Sequence, residues 1–405
     1  MISLKIRFKS LIKIIPILLG GLFGVVYWEP AAFDYAVLII FLAWTLIRPG
    51  QIFFSGGLIN ALILLFLLAQ LPAIIFYWDY LNYRYLAITV YLLMLGKFTA
   101  VFYEYYPDYF IAFLRSFVVF AAIFALFSSL DFATKGSLLN NQFVWMGSRA
   151  VGLFKDPNVF GSYLVPAFFL CLTVPLMSGP SGYVLRILCS LLIGLGIILA
   201  GSRGAWVNTI VCIVCWLGAS SSKRYFKLSK PFAVTCVVAT IGVLLVLMWA
   251  ITTRDNLPLE SYLTDRVRYH SYDDGRFGNQ LRLLGLTDYF LFGVGPGRLE
   301  EFTDEFASHN TYLRVLVEHG IIAFCVFTIM ILLAAVPWRF FVKDSTKNLN
   351  DDQKIGWIMR ICLAGVLVNS LVIDTLHWRH FWVVLMVSLV DNLRRHKKRT
   401  NLIGV

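Results

Sequence analysis

The residues best suited to chemistry lie in short polar motifs between long apolar runs. His309 stands in the motif Ser308–Leu313, directly before one such run. Ser308 or Asn310 can cap the helix that this run predicts, which places the imidazole beside a helix N-terminus. An imidazole there can accept a proton from a sugar hydroxyl, because its unperturbed pKa is about 6.5. A capping or packing role is the alternative for His309.

A second motif, Gly201-Ser202-Arg203-Gly204, predicts a tight turn between two apolar runs. Its glycines let backbone N–H groups approach an anion, and the guanidinium of Arg203 can hold two phosphate oxygens at once. An interfacial anchor is the alternative for this arginine.

A third motif runs from Gly152 to Asn158 and follows Arg149. It contains Lys155, a possible additional site residue. Asp156 as helix cap and Pro157 at the first helical position explain most of this motif structurally.

The segment 253–308 contains six arginines and no lysine. Arginine binds phosphate or carboxylate with two oxygens at once, so this bias favours anion binding. Ordinary Arg–Asp pairing inside a small folded lid is the alternative for most of them. The six are Arg254, Arg266, Arg268, Arg276, Arg282 and Arg298.

The composition predicts an all-α integral membrane protein. Hydrophobic residues make up 59% of the chain and charged residues 14%, whereas soluble domains carry about 25% charged residues. We expect one polytopic membrane domain, 1–405, of about twelve transmembrane helices, with 253–308 inserted as a periplasmic loop or lid. The expected spans are 10–28, 32–48, 54–76, 84–103, 109–130, 157–178, 185–200, 204–219, 231–252, 312–337, 356–375 and 380–393.

Basic clusters predict the orientation. With twelve spans, all four clusters fall on one side, which the positive-inside rule assigns to the cytoplasm together with both termini. This explains the net charge of +12 without nucleic acid, and it makes a bacterial inner membrane with a periplasmic active site the expected location. The clusters are residues 5–13, 223–230, 339–354 and 394–399.

The outer motifs together resemble the O-antigen ligase and O-antigen polymerase family of bacterial membrane glycosyltransferases. The resemblance covers roughly residues 149–335 and follows a fixed order of short motifs. These are Gly201-Ser202-Arg203-Gly204, Gly275-Arg276, Gly293-Val294-Gly295-Pro296-Gly297, His309-Asn310, Glu318 and Gly320.

The resemblance implies an inverting glycosyltransferase that works without metal or cofactor. Its donor is a glycan linked to polyprenyl diphosphate, such as undecaprenyl diphosphate, and its acceptor is a sugar of lipid A core or of another glycan. Carried over, Arg203 and Arg276 hold the donor diphosphate and His309 is the catalytic base. Arg268 and Arg282 are rivals for the place of Arg276, and further candidates are Arg149, Lys155 and Glu318.

Two alternatives stay open at this stage. O-antigen ligase is favoured over a polymerase of lipid-linked repeat units, which uses the same donor group and the same residue types. A secondary transporter is the rival from another class, although the two halves of the chain do not look alike as repeats. His377 and His380 flank the last predicted outer turn, as a second polar patch or as interfacial anchors.

Overall fold

A computed structural model describes residues 14–51, 56–76, 79–145, 148–221, 265–269, 271–302, 307–336 and 351–403. The expected span 231–252, Arg254 and most of the first three basic clusters lie outside these residues. The helices are α1 (14–22), α2 (Ala32–Ile47), α3 (Gly57–Leu68), α4 (Leu71–Phe76), α5 (Tyr80–Tyr105), α6 (Pro107–Ala133), α7 (Pro157–Thr173), α8 (Gly179–Leu199), α9 (Arg203–Ser221), α10 (Ser271–Leu284), α11 (Thr311–Ala335), α12 (Asp351–Asn369) and α13 (Arg379–Ile403).

The described helices confirm an all-α protein with membrane character. Five of them are long and apolar enough to cross a bilayer, counting α3 and α4 together with α5, α6, α8 and α11. Strands within the described ranges form one antiparallel hairpin, β1 (Val144–Trp145) and β2 (Arg149–Ala150). The count of twelve spans and the periplasmic side of the loop stay predictions.

The chain forms two compact units. The first comprises Met1–Ala43, Tyr106–Arg268 and Lys347–Ile358, and the second comprises Trp44–Tyr105, Tyr269–Thr346 and Met359–Val405.

Small residues bring the helices of the first unit close together. A Cβ added to Gly161 of α7 would lie 2.9 Å from the Cβ of Ala205 on α9. One added to Gly196 of α8 would lie 2.8 Å from the Cβ of Ala125 on α6. Close backbone approach of this kind is how helices associate where no hydrophobic effect drives them together.

The second unit is built around α11, which packs on α3 and α13. This helix is broken at Gly320, whose φ of 80° lies in the left-handed region. The glycine turn at 293–297 fills the break: Val294 N–H donates to the Val317 carbonyl at 2.8 Å, and Gly295 N–H donates to the Glu318 carbonyl at 3.0 Å. The glycine motif and Gly320 are therefore two sides of one backbone junction.

Within the segment expected as a loop, residues 271–284 form the helix α10. Asp273 and Asp274 lie in its first turn and Arg282 in its last, as the helix dipole favours. Leu283 is buried with Val294, Leu299 and Val317, so packing on the glycine turn and α11 stabilises this polar helix. Local sequence did not predict it because Gly275 and Gly278 lower helix propensity.

Candidate active site

His309 lies immediately before α11. Asn310 caps this helix, and its side-chain oxygen accepts from the backbone N–H groups of Tyr312 at 3.0 Å and Leu313 at 3.1 Å. Of the two caps that the sequence allowed, Asn310 is the one used. The half-buried His309 has a φ of 47°, a left-handed conformation that is costly for a residue with a side chain.

The loop between α12 and α13 holds this strained segment in place. We call residues 370–378 the last loop. Thr311 N–H donates to the Ser370 carbonyl at 2.9 Å, and the Asn310 side-chain amide donates to the Leu371 carbonyl at 3.1 Å. In return, the Thr375 N–H donates to the Thr311 hydroxyl at 2.8 Å. These bonds hold the two residues that follow His309 and so help to offset its backbone strain.

The surroundings of His309 keep its imidazole neutral. Its pKa is lowered to about 4, mainly by burial and then by the positive charge of Arg276, while the charge of Asp374 opposes and that of Arg314 adds to this shift. The positive charge of Arg276 therefore acts on His309, while a shared substrate site for the two residues stays a prediction. Gln280, one helical turn beyond Arg276 on α10, donates weakly to the His309 carbonyl at 3.4 Å.

Arg314 is the centre of a buried ionic cluster beside His309. Only 4% of it is exposed. It donates to Asp374 at 2.7 Å, to Glu318 at 3.1 Å and to both oxygens of Glu300 at 3.0 and 3.2 Å. It thus joins α11, the last loop and the chain that follows the glycine turn.

Glu318 is a charge partner within this cluster. Its side chain is fully buried, with one oxygen on Arg314 and the other 3.8 Å from His319 Nε2. Sequence reasoning singled out Glu318 but missed Arg314 and Asp374. The i, i+4 spacing of Arg314 and Glu318 inside an apolar run was the available signal, since charges there need partners.

His377 completes this group. Its Nδ1 lies 3.6 Å from Oδ2 of Asp374, and its ring meets Tyr85 edge-on at a centroid distance of 5.2 Å. His377 is half-buried, whereas His380 is only 5% exposed. The two histidines of the last predicted outer turn therefore have different environments.

Arg203 belongs to the first unit, where it begins α9. Gly201 precedes it with a φ of 57°, and the Ser202 hydroxyl accepts from Ala205 N–H at 3.3 Å. The half-buried Arg203 guanidinium donates to the Arg268 carbonyl at 3.4 Å. This bond goes to the backbone of Arg268, so which loop arginine would act together with Arg203 stays a prediction.

Arg149 binds the residue that directly precedes the turn at Gly201–Arg203. It is buried, and it donates to the Ala200 carbonyl and to the Asn158 side-chain oxygen, both at 2.9 Å. Asp156 caps α7 by accepting from Asn158 N–H at 2.7 Å, with Pro157 at the first helical position, which confirms the structural interpretation of this motif.

Two other cations that the sequence singled out lie at the protein surface. Lys155 is exposed and pairs with Glu29 at 3.2 Å in the first unit. Arg282 is exposed at the end of α10. Arg298, in contrast, binds Glu301 at 2.7 Å, so pairing within the segment accounts for that arginine.

Among the described residues, the charge of Arg276 acts on His309, and Arg203 contacts the backbone of Arg268. A common cavity for Arg203 and His309 stays a prediction. Among the described residues, no group of three or more His, Cys, Asp or Glu side chains could hold a metal ion. No protein-family model matches the chain, and no curated protein matches it.

Proposed function

We propose that the protein is a membrane glycosyltransferase that moves a glycan from a polyprenyl diphosphate carrier to a sugar hydroxyl at the outer face of a bacterial inner membrane. Lipid A core is the proposed acceptor, as in an O-antigen ligase. The observation that carries this proposal is the neutral imidazole of His309 at the start of α11, under the charge of Arg276.

The proposed reaction requires the protein to neutralise negative charge and to accept one proton. A polyprenyl diphosphate is already a good leaving group, so the site must neutralise the charge that develops on it and accept the hydroxyl proton. Arg276 supplies a positive charge beside a proton acceptor, without a divalent cation. The long apolar helices fit a protein that lies in the same bilayer as the lipid chain of the carrier.

Arg203 is the second proposed contact to the diphosphate. Its turn presents a guanidinium and glycine-flanked backbone, and the bond from Arg149 to the Ala200 carbonyl supports the turn. In this proposal Arg149 acts on substrate only through that turn.

The direct test is glycan transfer by the purified protein from a polyprenyl-diphosphate donor to core oligosaccharide. The wild type should transfer with EDTA present, and His309→Ala should lose about 10²–10⁴-fold in rate while staying folded. Arg298→Gln is the matched control, because Arg298 already pairs with Glu301. Equal rates for the His309 and Arg298 variants would return His309 to a structural role, and EDTA inhibition reversed by one metal would replace the mechanism.

A polymerase is the second candidate, and one observation favours it. The segment 253–308 carries ten acidic residues against six arginines, which fits poorly with a phosphorylated core as acceptor. Deletion of the gene separates the two. Loss of a ligase leaves long carrier-linked polymer and bare core, whereas loss of a polymerase leaves core bearing a single repeat unit.

A separate experiment tests on which side of the membrane the proposed reaction occurs. Ser271 is exposed at the start of α10, so a cysteine there should react from outside with a membrane-impermeant maleimide. Labelling only after permeabilisation would reverse the orientation and move the proposed site to the cytoplasm.

A further inference from the structure

Helix α10 has an apolar side that is exposed. Phe277, Leu281 and Leu284 follow the i, i+4 and i+7 spacing of one helix side, and all three are exposed, Leu281 by 70%. A second side carries the buried Leu283, which packs on the glycine turn and α11. A third side carries the exposed Arg282. The helix is therefore attached along one side and presents an apolar stripe beside a polar one.

The chain that follows α10 extends this apolar surface. Residues 286, 289 and 290 pack against the same buried cluster as Leu283, and Leu291 and Phe292 come next and are exposed. The ring of Phe292 lies 6.1 Å from the ring of Phe76, measured between centroids, at the end of α4. The carbonyl of Phe290 accepts from the backbone N–H of Ile321 on α11. Exposed apolar residues thus run from α10 to both α4 and α11.

The helices that this surface reaches have membrane character. The α3–α4 segment and α11 are each long and apolar enough to cross a bilayer. Their exposed residues next to the 290–292 segment are Phe76, Ile321 and Ile322. In a bilayer these side chains contact lipid, and the same lipid lies beside Leu291 and Phe292. A lid surrounded by water would instead expose a continuous apolar patch, which proteins usually avoid.

The backbone of this segment suits contact with lipid. Non-helical backbone lies at membrane depth only where its polar groups have partners within the protein. The Tyr289 carbonyl accepts from Gly293 N–H at 2.7 Å, and the Phe290 carbonyl is bound by α11. Gly320 permits the close approach, because a Cβ added there would lie 2.6 Å from the Leu291 carbonyl oxygen. Pairing with α11 therefore lets apolar side chains of this segment face lipid.

We infer that Phe277, Leu281 and Leu284, together with Leu291 and Phe292, form a surface that binds the acyl chains of membrane phospholipids. Residues 277–292 then lie at the edge of the bilayer and not in the water above it. Arg282 remains on the side that faces water and headgroups. Lipid is the occupant because it accounts for the exposed apolar residues of α10, α4 and α11 together. The inference does not depend on the proposed reaction.

Photocrosslinking of the full chain in vesicles of phosphatidylethanolamine and phosphatidylglycerol tests this surface. The photoreactive amino acid p-benzoylphenylalanine replaces Leu281 in one variant and Leu284 in a second. Ile322 on α11 is the position that should contact lipid, and the exposed Ser271 at the polar start of α10 is the control. Size-exclusion chromatography checks folding, and mass spectrometry identifies each adduct.

The expected result is phospholipid adducts at 281 and 284 with yields like that at 322, and loss of these adducts at 271. Adducts at 281 and 284 with a second copy or another part of the chain, in place of lipid, would overturn the inference. Equal lipid adducts at 271 would do the same, because the surface would then have no apolar side. Absence of lipid adducts at 322 would also overturn it, since contact with α11 carries the argument. None of these outcomes bears on glycan transfer.

Discussion

The arginines of the two units bind different partners. In the first unit, Arg149 donates to the Ala200 carbonyl, Arg186 to the Cys171 carbonyl and Arg115 to the Pro175 carbonyl. These carbonyls lie at or just beyond the C-terminal ends of α7 and α8, where backbone oxygens lack partners within the helix. In the second unit, arginines bind carboxylates: Arg314 binds three, Arg298 binds Glu301 and Arg360 binds Asp391.

The two kinds of partner differ in whether they cancel the positive charge of the arginine. A carbonyl is neutral, so a bond from an arginine to it joins two parts of the backbone without cancelling charge. A carboxylate cancels that charge, and the resulting cluster holds geometry instead. The Arg314 cluster accordingly holds α11, Glu300 and Asp374 of the last loop together.

The largest effect should come from Arg314. Arg314→Gln leaves the buried Glu318 and the half-buried Asp374 without their cation, and removing one partner of a buried pair costs about 3–5 kcal/mol. Thermal unfolding of the purified protein measures this. Arg298→Gln removes a more exposed pair and should cost at most about 1 kcal/mol. Similar losses in both variants would mean that the Arg314 cluster does not stabilise the second unit.

Arg149 should have an intermediate effect. Arg149→Gln loses the bond to the Ala200 carbonyl and leaves a buried acceptor unsatisfied, at a cost of about 1–3 kcal/mol. Lys155→Gln is the control from the same motif, because Lys155 is an exposed residue. A loss as large as that of Arg314→Gln would remove the distinction between carbonyl-bound and carboxylate-bound arginines.

The smallest effect should be that of pH on the stability that His309 contributes to the folded protein. Its folded-state pKa of about 4 lies below the ordinary 6.5, so the unfolded chain binds the proton more readily between these values. The stability that His309 contributes is complete above pH 6.5 and is lost as pH falls through about 4. Unfolding of the wild type should therefore become easier below pH 6.5, and His309→Gln should weaken this dependence. Equal pH dependence in both proteins would contradict the burial of a neutral imidazole.

Local patterns predicted the helices and some of their ends. Long apolar runs predicted most of the described helices, and Asp156-Pro157 marked the start of α7, because both signals depend on adjacent residues. His309 and Arg276 were predicted as members of one site, which stays a prediction, although the charge of Arg276 acts on His309.

Contacts between distant residues could not be predicted in this way. Arg314 and Asp374 are 60 positions apart, and only the folded last loop brings them together. The helix α10 depends on Leu283 packing on the glycine turn rather than on its own propensity. The left-handed backbone of His309 likewise depends on bonds to residues more than 60 positions away.

The junction at Gly320 also constrains how the chain is assembled in a membrane. The carbonyls of Val317 and Glu318 receive N–H groups from the glycine turn, and Ile321 N–H donates to the Phe290 carbonyl at 2.6 Å. In lipid, each of these groups would otherwise lack a partner, at a cost of several kcal/mol. We therefore expect insertion of α11 to be coupled to docking of residues 290–297, so that this helix enters a bilayer together with the chain that precedes it.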